Sequence, residues 1–376
     1  MIVDFKGLLD EMEEDDVFTI ANEARPGTNY LWNDVLPEKK RPGYYAKAGS
    51  MTVRATMAEL TAMDSRYKRG GVSERRNWEH YLAKLGQEMP FSEEYIRELR
   101  ALVEGLMARN IDGHEQLLET MFNFVDKLLT QPQLDSAEWM RSQAIIFDEI
   151  DWWTDDIHLE VSYGRPAENF LPTRTGTAAY DQSASEFWND WKSAQRILNN
   201  RVRAVYAHTN TINGIMYNPA NAVKVVKFDD IAGVYTFVRY SDPDTQLVSE
   251  DRRDVITLYA YDDEGEVLSP DPVDRANGET IKLPFCPPGS IVFVGAYDNR
   301  KFTIGSGSTD DSADTPVTLG YTHVGPTEEG NGRLGRWART YVPEDEPWSF
   351  IGQSAANVLP VIDAPERIVT ATTDLT

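Results

Sequence analysis

A glycine-rich stretch late in the chain has the spacing of a dinucleotide-binding loop. The residues from Gly330 to Gly335 read G-x-G-x-x-G. Such a loop binds a pyrophosphate where a buried strand leads into it, a helix begins within it, and an acidic residue follows about 20 positions later. Here Pro326 and two glutamates come shortly before the loop, strand-like residues follow it, and position 355 is alanine. The pattern therefore predicts a flexible loop rather than a phosphate site.

Candidate metal ligands are scattered along the chain. The five histidines include no pair spaced four residues apart, and the H-x-E pattern from His158 to Glu160 has no P-C-x-x-C partner, since Cys286 is the single cysteine. A deaminase-type zinc site needs both patterns. His158 alternates with apolar neighbours, which is typical of a strand surface, and Cys286 is expected to be a packing residue. We therefore expect no metal, no cofactor and no disulfide.

A third group places carboxylates beside tryptophans. Asp148, Asp151, Asp155 and Asp156 surround two adjacent tryptophans, and glycosidases use carboxylates in such surroundings. Catalytic pairs usually come from separate strands, however, so these local acids are expected to mark a helix end and a solvated turn. An S-x-x-K pattern starting at Ser65 lacks the S-D-N and K-T-G patterns that give it meaning. The chain is not expected to be an enzyme.

Composition and charge limit the classes of partner. The 37 lysines and arginines against 61 aspartates and glutamates give a net charge of −24, which argues against nucleic-acid binding by overall charge but not against enclosing DNA. A hydrophobic content of 41% over 376 residues predicts two or three domains with sizeable cores. Without a long apolar run or a cationic amino terminus, we expect a soluble protein made in the cytoplasm, with neither membrane span nor signal peptide.

The first 42 residues combine an acidic run with helix breakers and isolated apolar residues. Six of the seven positions from Asp10 to Asp16 are carboxylates. One interpretation is a solvated leader, and the other is an extended arm that becomes ordered on a neighbouring subunit. The apolar anchors favour the arm, and its predicted intersubunit contacts are Tyr30, Leu31, Trp32, Val35 and Leu36.

A basic segment follows a strand-like pattern at residues 44–60. Five basic residues and one acidic residue lie between positions 66 and 76, around a glycine pair that predicts a turn. One interpretation is an ordinary exposed hairpin, and the other is a loop attracted to an acidic patch of another subunit. The predicted contact residues are Arg66, Lys68, Arg69, Gly70, Gly71, Arg75 and Arg76.

The middle of the chain alternates between helical and strand patterns. Apolar residues recur at helical spacing in 95–107, 117–129 and 137–149, with breaks at Gly113 and Pro132. Strands are predicted at 157–163, 202–206, 291–296 and several places in 223–260, a helix at 185–199, and a long mobile surface loop at 304–316.

The chain closes in a β pattern. Two apolar runs, Trp348–Ile351 and Val358–Ile362, flank the small polar stretch Gly352–Asn357. Arg367–Thr373 alternates β-branched with small polar residues, as in a strand with one buried face. We therefore expect the closing strands to pack on a core made earlier, with Val358, Leu359, Val361 and Ile362 buried.

This ending resembles the closing strands of tailed-phage major capsid proteins of the lambda-like major capsid protein E family. There a Q-S-A…L-P…D-P-x passage returns the chain to the central domain. The matching residues here begin at Gln353, Leu359 and Asp363, and the last part is one residue longer. The segment IHLEVSYGRP at 157–166, with the later helix near Trp188, is similar to the family's passage into its axial domain.

The resemblance implies an α+β fold of the tailed-phage and herpesvirus major capsid type (HK97-like). The implied parts are an N-terminal arm at 1–42, an extended loop at 43–90, a peripheral domain with a spine helix at 91–165, an axial domain at 166–300, and a return to the peripheral domain with closing strands at 301–376. The spine is expected in the helical run that ends at Glu138–Ala144.

The implied function is that of a structural major capsid protein. Its hexamers and pentamers would form the icosahedral shell around packaged double-stranded DNA, with no sequence-specific DNA binding and no membrane. Expected partners are other copies, a scaffold, a portal and decoration or cement proteins, in a virion assembled in the host cytoplasm. An encapsulin-like nanocompartment subunit shares the fold and stays an alternative, as does a soluble glycan-acting enzyme.

Overall fold

The architecture combines two larger β-sheets with helices and smaller hairpins. The structure, a computed structural model, describes residues 14–23, 30–54, 72–91, 125–153, 157–229, 233–242, 247–248, 255–268, 279–296, 301–304, 319–341 and 350–375, with isolated positions between 94 and 123. Apart from those isolated positions, which are helical, the predicted helices at 95–107 and 117–124 lie outside the described residues, as does the loop at 305–316. In the described part no helix is long and apolar enough to cross a membrane.

The α-helices of the described residues carry the apolar faces that cover the sheets. In chain order they are α1 (Glu14–Glu23), α2 (Leu31–Val35), α3 (Gln131–Ile146), α4 (Phe187–Ile197) and α5 (Thr209–Tyr217). A π-helical turn (Val125–Thr130) leads directly into α3, and short 3₁₀ turns lie at Ala167–Asn169, Gly176–Ala178, Pro219–Asn221 and Pro365–Arg367.

The strands of the described residues are numbered in chain order. They are β1 (Glu38–Lys40), β2 (Tyr45–Arg54), β3 (Val72–Tyr81), β4 (Ala83–Phe91), β5 (Glu149–Trp153), β6 (His158–Ser162), β7 (Val202–Ala207), β8 (Val223–Asp229), β9 (Val234–Asp242), β10 (Leu247–Val248), β11 (Val255–Ala260), β12 (Glu264–Leu268), β13 (Thr280–Pro284), β14 (Ser290–Gly295), β15 (Lys301–Ile304), β16 (Gly320–Val324), β17 (Trp337–Tyr341), β18 (Phe350–Ile362) and β19 (Ile368–Thr372).

Helix α3 differs from the predicted segment at both ends. It begins at Gln131 rather than at Ala137, because Pro132 lies in its first turn, where the missing N–H has no partner to lose. It ends before Asp148, whose φ of +66° takes the chain out of the helix. Glu149, predicted as the helix end, is instead the first residue of β5.

Strand β18 is the centre of the first sheet, ordered β1-β16-β18-β17, with β4 also paired to β18. From Phe350 onward, the two predicted apolar runs and the stretch between them form one strand of 13 residues, and positions 348 and 349 lie outside the described residues. The small residues suit this position because β18 is hydrogen-bonded to β4 and β17 there, and the buried Ser354 hydroxyl donates to the Leu129 carbonyl at 2.9 Å. The predicted burial of Val358–Ile362 is confirmed for its apolar side chains.

The second sheet is ordered β10-β9-β11-β7-β14-β19 with β8 on β9, and its strands β7 and β14 are buried on both faces. Ala204 and Tyr206 of β7 face one hydrophobic core, whereas Val205 and Ala207 face another. Burial on both faces explains the uninterrupted apolar run of β14. Strand β19, predicted within the closing segment, pairs with β14 in this sheet, so the carboxyl-terminal strand joins the sheet built by residues 202–295.

Two hydrophobic cores pack the helices of the described chain against its two larger sheets. The first core packs α2 and α3 against the first sheet and one face of the second sheet. The second core packs α4 and α5 on the opposite face of the second sheet. The predicted helix at 185–199 and the strands at 202–206 and 291–296 are confirmed, with ends that shift by no more than two residues.

Three smaller groups of paired strands accompany the two larger sheets. Strands β15, β2 and β3 form one of them, in which β2 and β3 pair in antiparallel fashion from Tyr45 opposite Tyr81 to Arg54 opposite Val72. Strands β5 and β6 form a hairpin after the long helix, and β12 pairs with β13 in another.

Replacing Ile362 by Asp tests the role of β18. The side chain is 1% exposed in the first core, so an unpaired carboxylate there should lower the free energy of unfolding by several kcal/mol, with about 3 kcal/mol as a minimum. Urea unfolding of the purified protein measures the change. Val226→Asp is the control, because Val226 is 59% exposed on β8; equal losses from both substitutions would contradict the core position of Ile362.

Candidate functional site

The glycine pattern at 330–335 forms a turn between strands. The Gly332 N–H donates to the Thr327 carbonyl at 2.9 Å, and the Arg333 N–H donates to the Gly330 carbonyl at 3.0 Å. The chain then enters strand β17 rather than a helix. No helix amino terminus is therefore available at this turn to bind a phosphate.

The two described carboxylates near the tryptophans, Asp148 and Asp151, have different surroundings. Asp148 is buried and accepts a hydrogen bond from the Arg165 N–H at 2.7 Å, which corrects the expectation of a solvated turn at this position. Asp151 lies on the exposed face of β5, 2.7 Å from His158 Nε2. Asp155 and Asp156 lie outside the described residues. The expected surface position of His158 on a strand is confirmed.

The remaining chemical candidates are also packing residues. Burial raises the pKa of the Cys286 thiol to about 12, so this sulfur is a poor nucleophile at neutral pH. Among the described residues, no group of three or more histidine, cysteine or carboxylate side chains could hold a metal ion.

A buried ionic network is the principal polar feature of the interior. Arg141 of helix α3 is fully buried and donates to the Glu138 carboxylate at 2.8 Å and to the Glu38 carboxylate at 3.0 Å. Its Nε also donates to the Thr322 hydroxyl at 2.7 Å. The Arg336 guanidinium donates to the same oxygen of Glu38. The network therefore joins α3 to β1, β16 and the turn before β17.

The second carboxylate of the network, Glu138, connects two further parts of the chain. One of its oxygens accepts from the Trp32 backbone N–H at 2.8 Å and from the Tyr261 hydroxyl at 2.5 Å. The Phe285 carbonyl accepts from the Trp32 indole at 2.9 Å and from the Ser142 hydroxyl at 2.6 Å. These bonds attach α2 and the segments around 261 and 285 to the same helix.

The two carboxylates of the network have opposite pKa shifts. Burial raises the pKa of Glu38, but the nearby Arg336 and Arg141 guanidinium groups outweigh burial and lower the pKa overall. For Glu138 burial is the larger effect, and the pKa is raised despite Arg141 and the Tyr261 hydrogen bond. Glu38 is therefore the carboxylate whose charge stabilises the folded state.

The predicted arm contacts lie in the chain's own core. Trp32 and Leu36 are fully buried, Val35 is 1% exposed, and Tyr30 is also buried, whereas Leu31 is half-buried. The Trp32 ring packs 5.0 Å from Tyr206 and 5.4 Å from Tyr261, measured between ring centroids. A side chain without exposed surface cannot contact another subunit. For Trp32, Val35 and Leu36 the predicted intersubunit role is thus corrected to a core role, whereas for Tyr30, which is 8% exposed, and the half-buried Leu31 it stays a prediction.

The predicted basic loop is described only at its carboxyl-terminal end. Arg75 and Arg76 lie on β3 opposite Met51 and Ser50 of β2. The other predicted contacts, Arg66, Lys68, Arg69, Gly70 and Gly71, lie outside the described residues. Their intersubunit contact stays a prediction.

The base of the β2–β3 hairpin is fixed to β16. The Tyr321 hydroxyl accepts from Arg41 Nη1 at 3.0 Å and donates to the Lys47 carbonyl at 3.1 Å. The buried His323 contacts the Arg41 carbonyl through Nε2 at 3.1 Å, and its Nδ1 has no hydrogen-bond partner in the part of the chain that the structure describes. Burial lowers the pKa of His323, and the Arg41 guanidinium lowers it further.

The sequence contained a signal for the network that our predictions missed. Leu134, Glu138, Arg141 and Ile145 are spaced four, three and four residues apart, so they share one helix face. A glutamate and an arginine within an apolar stripe indicate a buried ion pair. Nothing comparable marks Glu38, which lies in a short basic stretch far away in the sequence.

Comparison with known sequences gives no match. No protein-family model and no curated protein sequence matches the chain.

Comparison with solved structures identifies the fold. A crystal structure of a protein assigned as the capsid protein of a prophage of Escherichia coli CFT073 aligns with a TM-score of 0.55 at 9% sequence identity, over 96% of this chain and 99% of that chain. At this score and coverage the two chains share a fold. The chain has the fold of a phage capsid protein. The predicted α+β fold of the HK97-like capsid type is thus confirmed.

Two further structures have weaker likeness to this capsid fold. A phage-related protein from Bordetella bronchiseptica RB50 gives a TM-score of 0.48 at 10% identity and covers 94% of both chains. The encapsulin SrpI of Synechococcus elongatus PCC 7942 gives 0.40 at 8% identity, over 92% of this chain and 87% of that chain. These scores are too low to establish a shared fold, so the assignment rests on the prophage protein.

Replacing Glu38 by Gln tests the ionic network. The substitution removes the charge shared by two buried guanidinium groups, so the free energy of unfolding should fall by about 3 kcal/mol, as for a broken buried ion pair. The matched control is Glu79→Gln, since Glu79 pairs with Lys47 at 2.8 Å on the surface, and a loss below about 1 kcal/mol is expected there. Urea unfolding at neutral pH compares the two variants; equal small losses would contradict the network's importance.

Replacing His323 by Gln tests the buried histidine. Because its folded pKa is lowered below 6.5, the unfolded chain binds a proton first as the pH falls, and the folded state loses stability below about pH 6.5. Glutamine keeps an N–H donor but does not titrate in this range. Thermal unfolding between pH 8 and pH 5 should therefore show a smaller loss of stability for the variant than for the native chain. Parallel curves would contradict a buried neutral imidazole.

Proposed function

We propose that the chain is the major capsid protein of a tailed bacteriophage and that it assembles into the icosahedral shell of the head. The observation that carries the proposal is the shared fold over nearly the entire length of both this chain and the prophage capsid protein. Because the likeness covers both chains almost completely, it includes the two larger sheets with their helices as well as the smaller hairpins. We assign the lambda-like major capsid protein E family on the resemblance of the closing strands, from Gln353 to Pro365.

The proposed parts of the subunit follow the chain. Residues 43–90 would be the extended loop, 91–165 the peripheral domain with α3 as the spine helix, 166–300 the axial domain, and 301–376 the return with the closing strands. The arm would be limited to the residues before Tyr30, because Trp32, Val35 and Leu36 are core residues. Strand β19 would belong to the axial sheet, since it pairs with β14.

The proposed partners are mainly other copies of the chain, in hexamers and pentamers. The shell would enclose double-stranded DNA without sequence-specific contacts, since a net charge of −24 disfavours phosphate binding. A scaffold, a portal and decoration or cement proteins would be further partners, and assembly would take place in the host cytoplasm before the virion is complete. No catalytic activity is proposed.

Electron microscopy of the purified full-length chain tests this function. We expect closed shells, or rings and tubes built from capsomers, at protein concentrations in the micromolar range. A monodisperse monomer across protein concentration, salt and pH would refute the proposal. Particles isolated from the native source should contain DNA. Particles that instead enclose a cargo enzyme would replace the phage assignment with a nanocompartment.

A further inference from the structure

Two tyrosines lie at the base of the β2–β3 hairpin. Tyr45 is the first residue of β2 and Tyr81 is the last residue of β3. They are paired directly opposite each other, although 36 positions separate them in the sequence. Residues in this relation have Cβ atoms about 5 Å apart. A bond between the two side chains would therefore enclose the entire hairpin.

The two phenol rings are in contact. Their centroids are 4.1 Å apart, and their planes are inclined by 38°. The Tyr45 hydroxyl donates a hydrogen bond to the Tyr81 hydroxyl, so the oxygen-bearing ends of the rings lie side by side. The ortho carbons flank the oxygen-bearing carbon of each ring. One ortho carbon of each ring is thereby brought to the contact.

Both rings can be reached from solvent. Tyr45 is 39% exposed and Tyr81 is 65% exposed. A second tyrosine pair, Tyr206 and Tyr259, has ring centroids 5.5 Å apart, but Tyr206 is buried in the first core. A soluble oxidant can therefore reach both phenols at the hairpin base, whereas the core shields Tyr206.

The adjacent tyrosine has a different partner. The Tyr44 hydroxyl donates to Glu328 Oε1 at 2.5 Å, and the side chain is 38% exposed. Tyr44 is therefore as accessible as Tyr45, but its hydroxyl contacts a carboxylate instead of a second phenol. This difference makes Tyr44 a matched control for any chemistry that needs two phenols together.

We propose that Tyr45 and Tyr81 form an oxidative cross-linking site, at which hydrogen peroxide and a haem peroxidase join the two side chains of one subunit into a dityrosine. The proposal goes beyond the proposed function and does not depend on assembly. The new bond connects the first residue of β2 to the last residue of β3, so the base of the hairpin can no longer open.

The reaction removes one electron and one proton from each phenol. The unpaired electron of a phenoxyl radical is shared between the oxygen and the ortho carbons, so the two radicals combine by forming a carbon–carbon bond between one ortho carbon of Tyr45 and one of Tyr81. The hydrogen on each of these carbons then moves to the oxygen of its own ring, which becomes aromatic again. Hydrogen peroxide takes up the two electrons and two protons and becomes two water molecules.

Peroxidase treatment of the purified full-length protein tests the site. After digestion with trypsin, mass spectrometry should find residues 41–47 joined to residues 77–84, with the mass of the two peptides less two hydrogen atoms. Tyr45→Phe and Tyr81→Phe should each abolish this product, because phenylalanine forms no phenoxyl radical. Tyr44→Phe removes a tyrosine from the same peptide and should keep the product.

Two results would overturn the pairing. One is the absence of the joined peptides from the oxidised native chain, and the other is a product that survives Tyr45→Phe but is lost with Tyr44→Phe. Circular dichroism establishes that each variant is folded, and each substitution keeps the aromatic ring.

Isotope labelling shows whether the bond lies within one subunit. Labelled and unlabelled chains are mixed before any assembly and then oxidised together. An intrachain bond gives joined peptides that are both labelled or both unlabelled, with a yield that does not fall on dilution. Joined peptides with one labelled member would contradict the assignment to a single subunit.

Hydrogen exchange measures the effect of the bond on the hairpin. A covalent bond that closes a loop restricts its open states, so the amides of β2 and β3 should exchange more slowly after oxidation. Oxidised Tyr45→Phe should show no such slowing, and equal slowing in this variant would refute the closing role of the bond. A chain that never assembles but forms the joined peptides would refute the proposed function and leave this site established.

Discussion

The charge of Arg141 is the constraint on which the arrangement of the chain depends. A guanidinium group without contact to water must be compensated by fixed carboxylates, because an unpaired buried charge is far more costly than the pair. Glu138 supplies one carboxylate from the same helix and Glu38 supplies the other from β1. Meeting this requirement brings β1, β16 and the long helix to one place, and Arg336 completes the set through Glu38.

The position of helix α3 also determines how the second sheet is covered. Helix α3 covers one face of the sheet while α4 and α5 cover the other, so strands β7 and β14 send successive side chains into two different cores. Removing either layer would expose a full face of apolar residues. The sheet therefore couples helix α3 and the first sheet to helices α4 and α5. The smaller hairpins project from this shared interior.

Much of the regular structure could be predicted because its causes are local. The helix at 187–197 has clear helical periodicity, whereas β7 and β14 are short segments rich in apolar and β-branched residues. Both kinds of pattern are visible in the local sequence. Two misread elements depend on context instead. Pro132 proved compatible with a helix because it occupies the first turn, and Gly352–Asn357 proved to be strand because neighbours on both sides supply hydrogen bonds.

The sequence by itself determined the acidic balance, the lack of a catalytic pattern, the basic segment and the likeness of the closing strands to capsid proteins, because each is a property of residue type and order. Only the tertiary structure decided that Trp32 is a core residue rather than an intersubunit anchor, and that Glu38 lies beside Arg141 across 103 positions of sequence. The physical reason is that burial and charge pairing depend on long-range packing, which juxtaposes residues whose local patterns carry no information about each other.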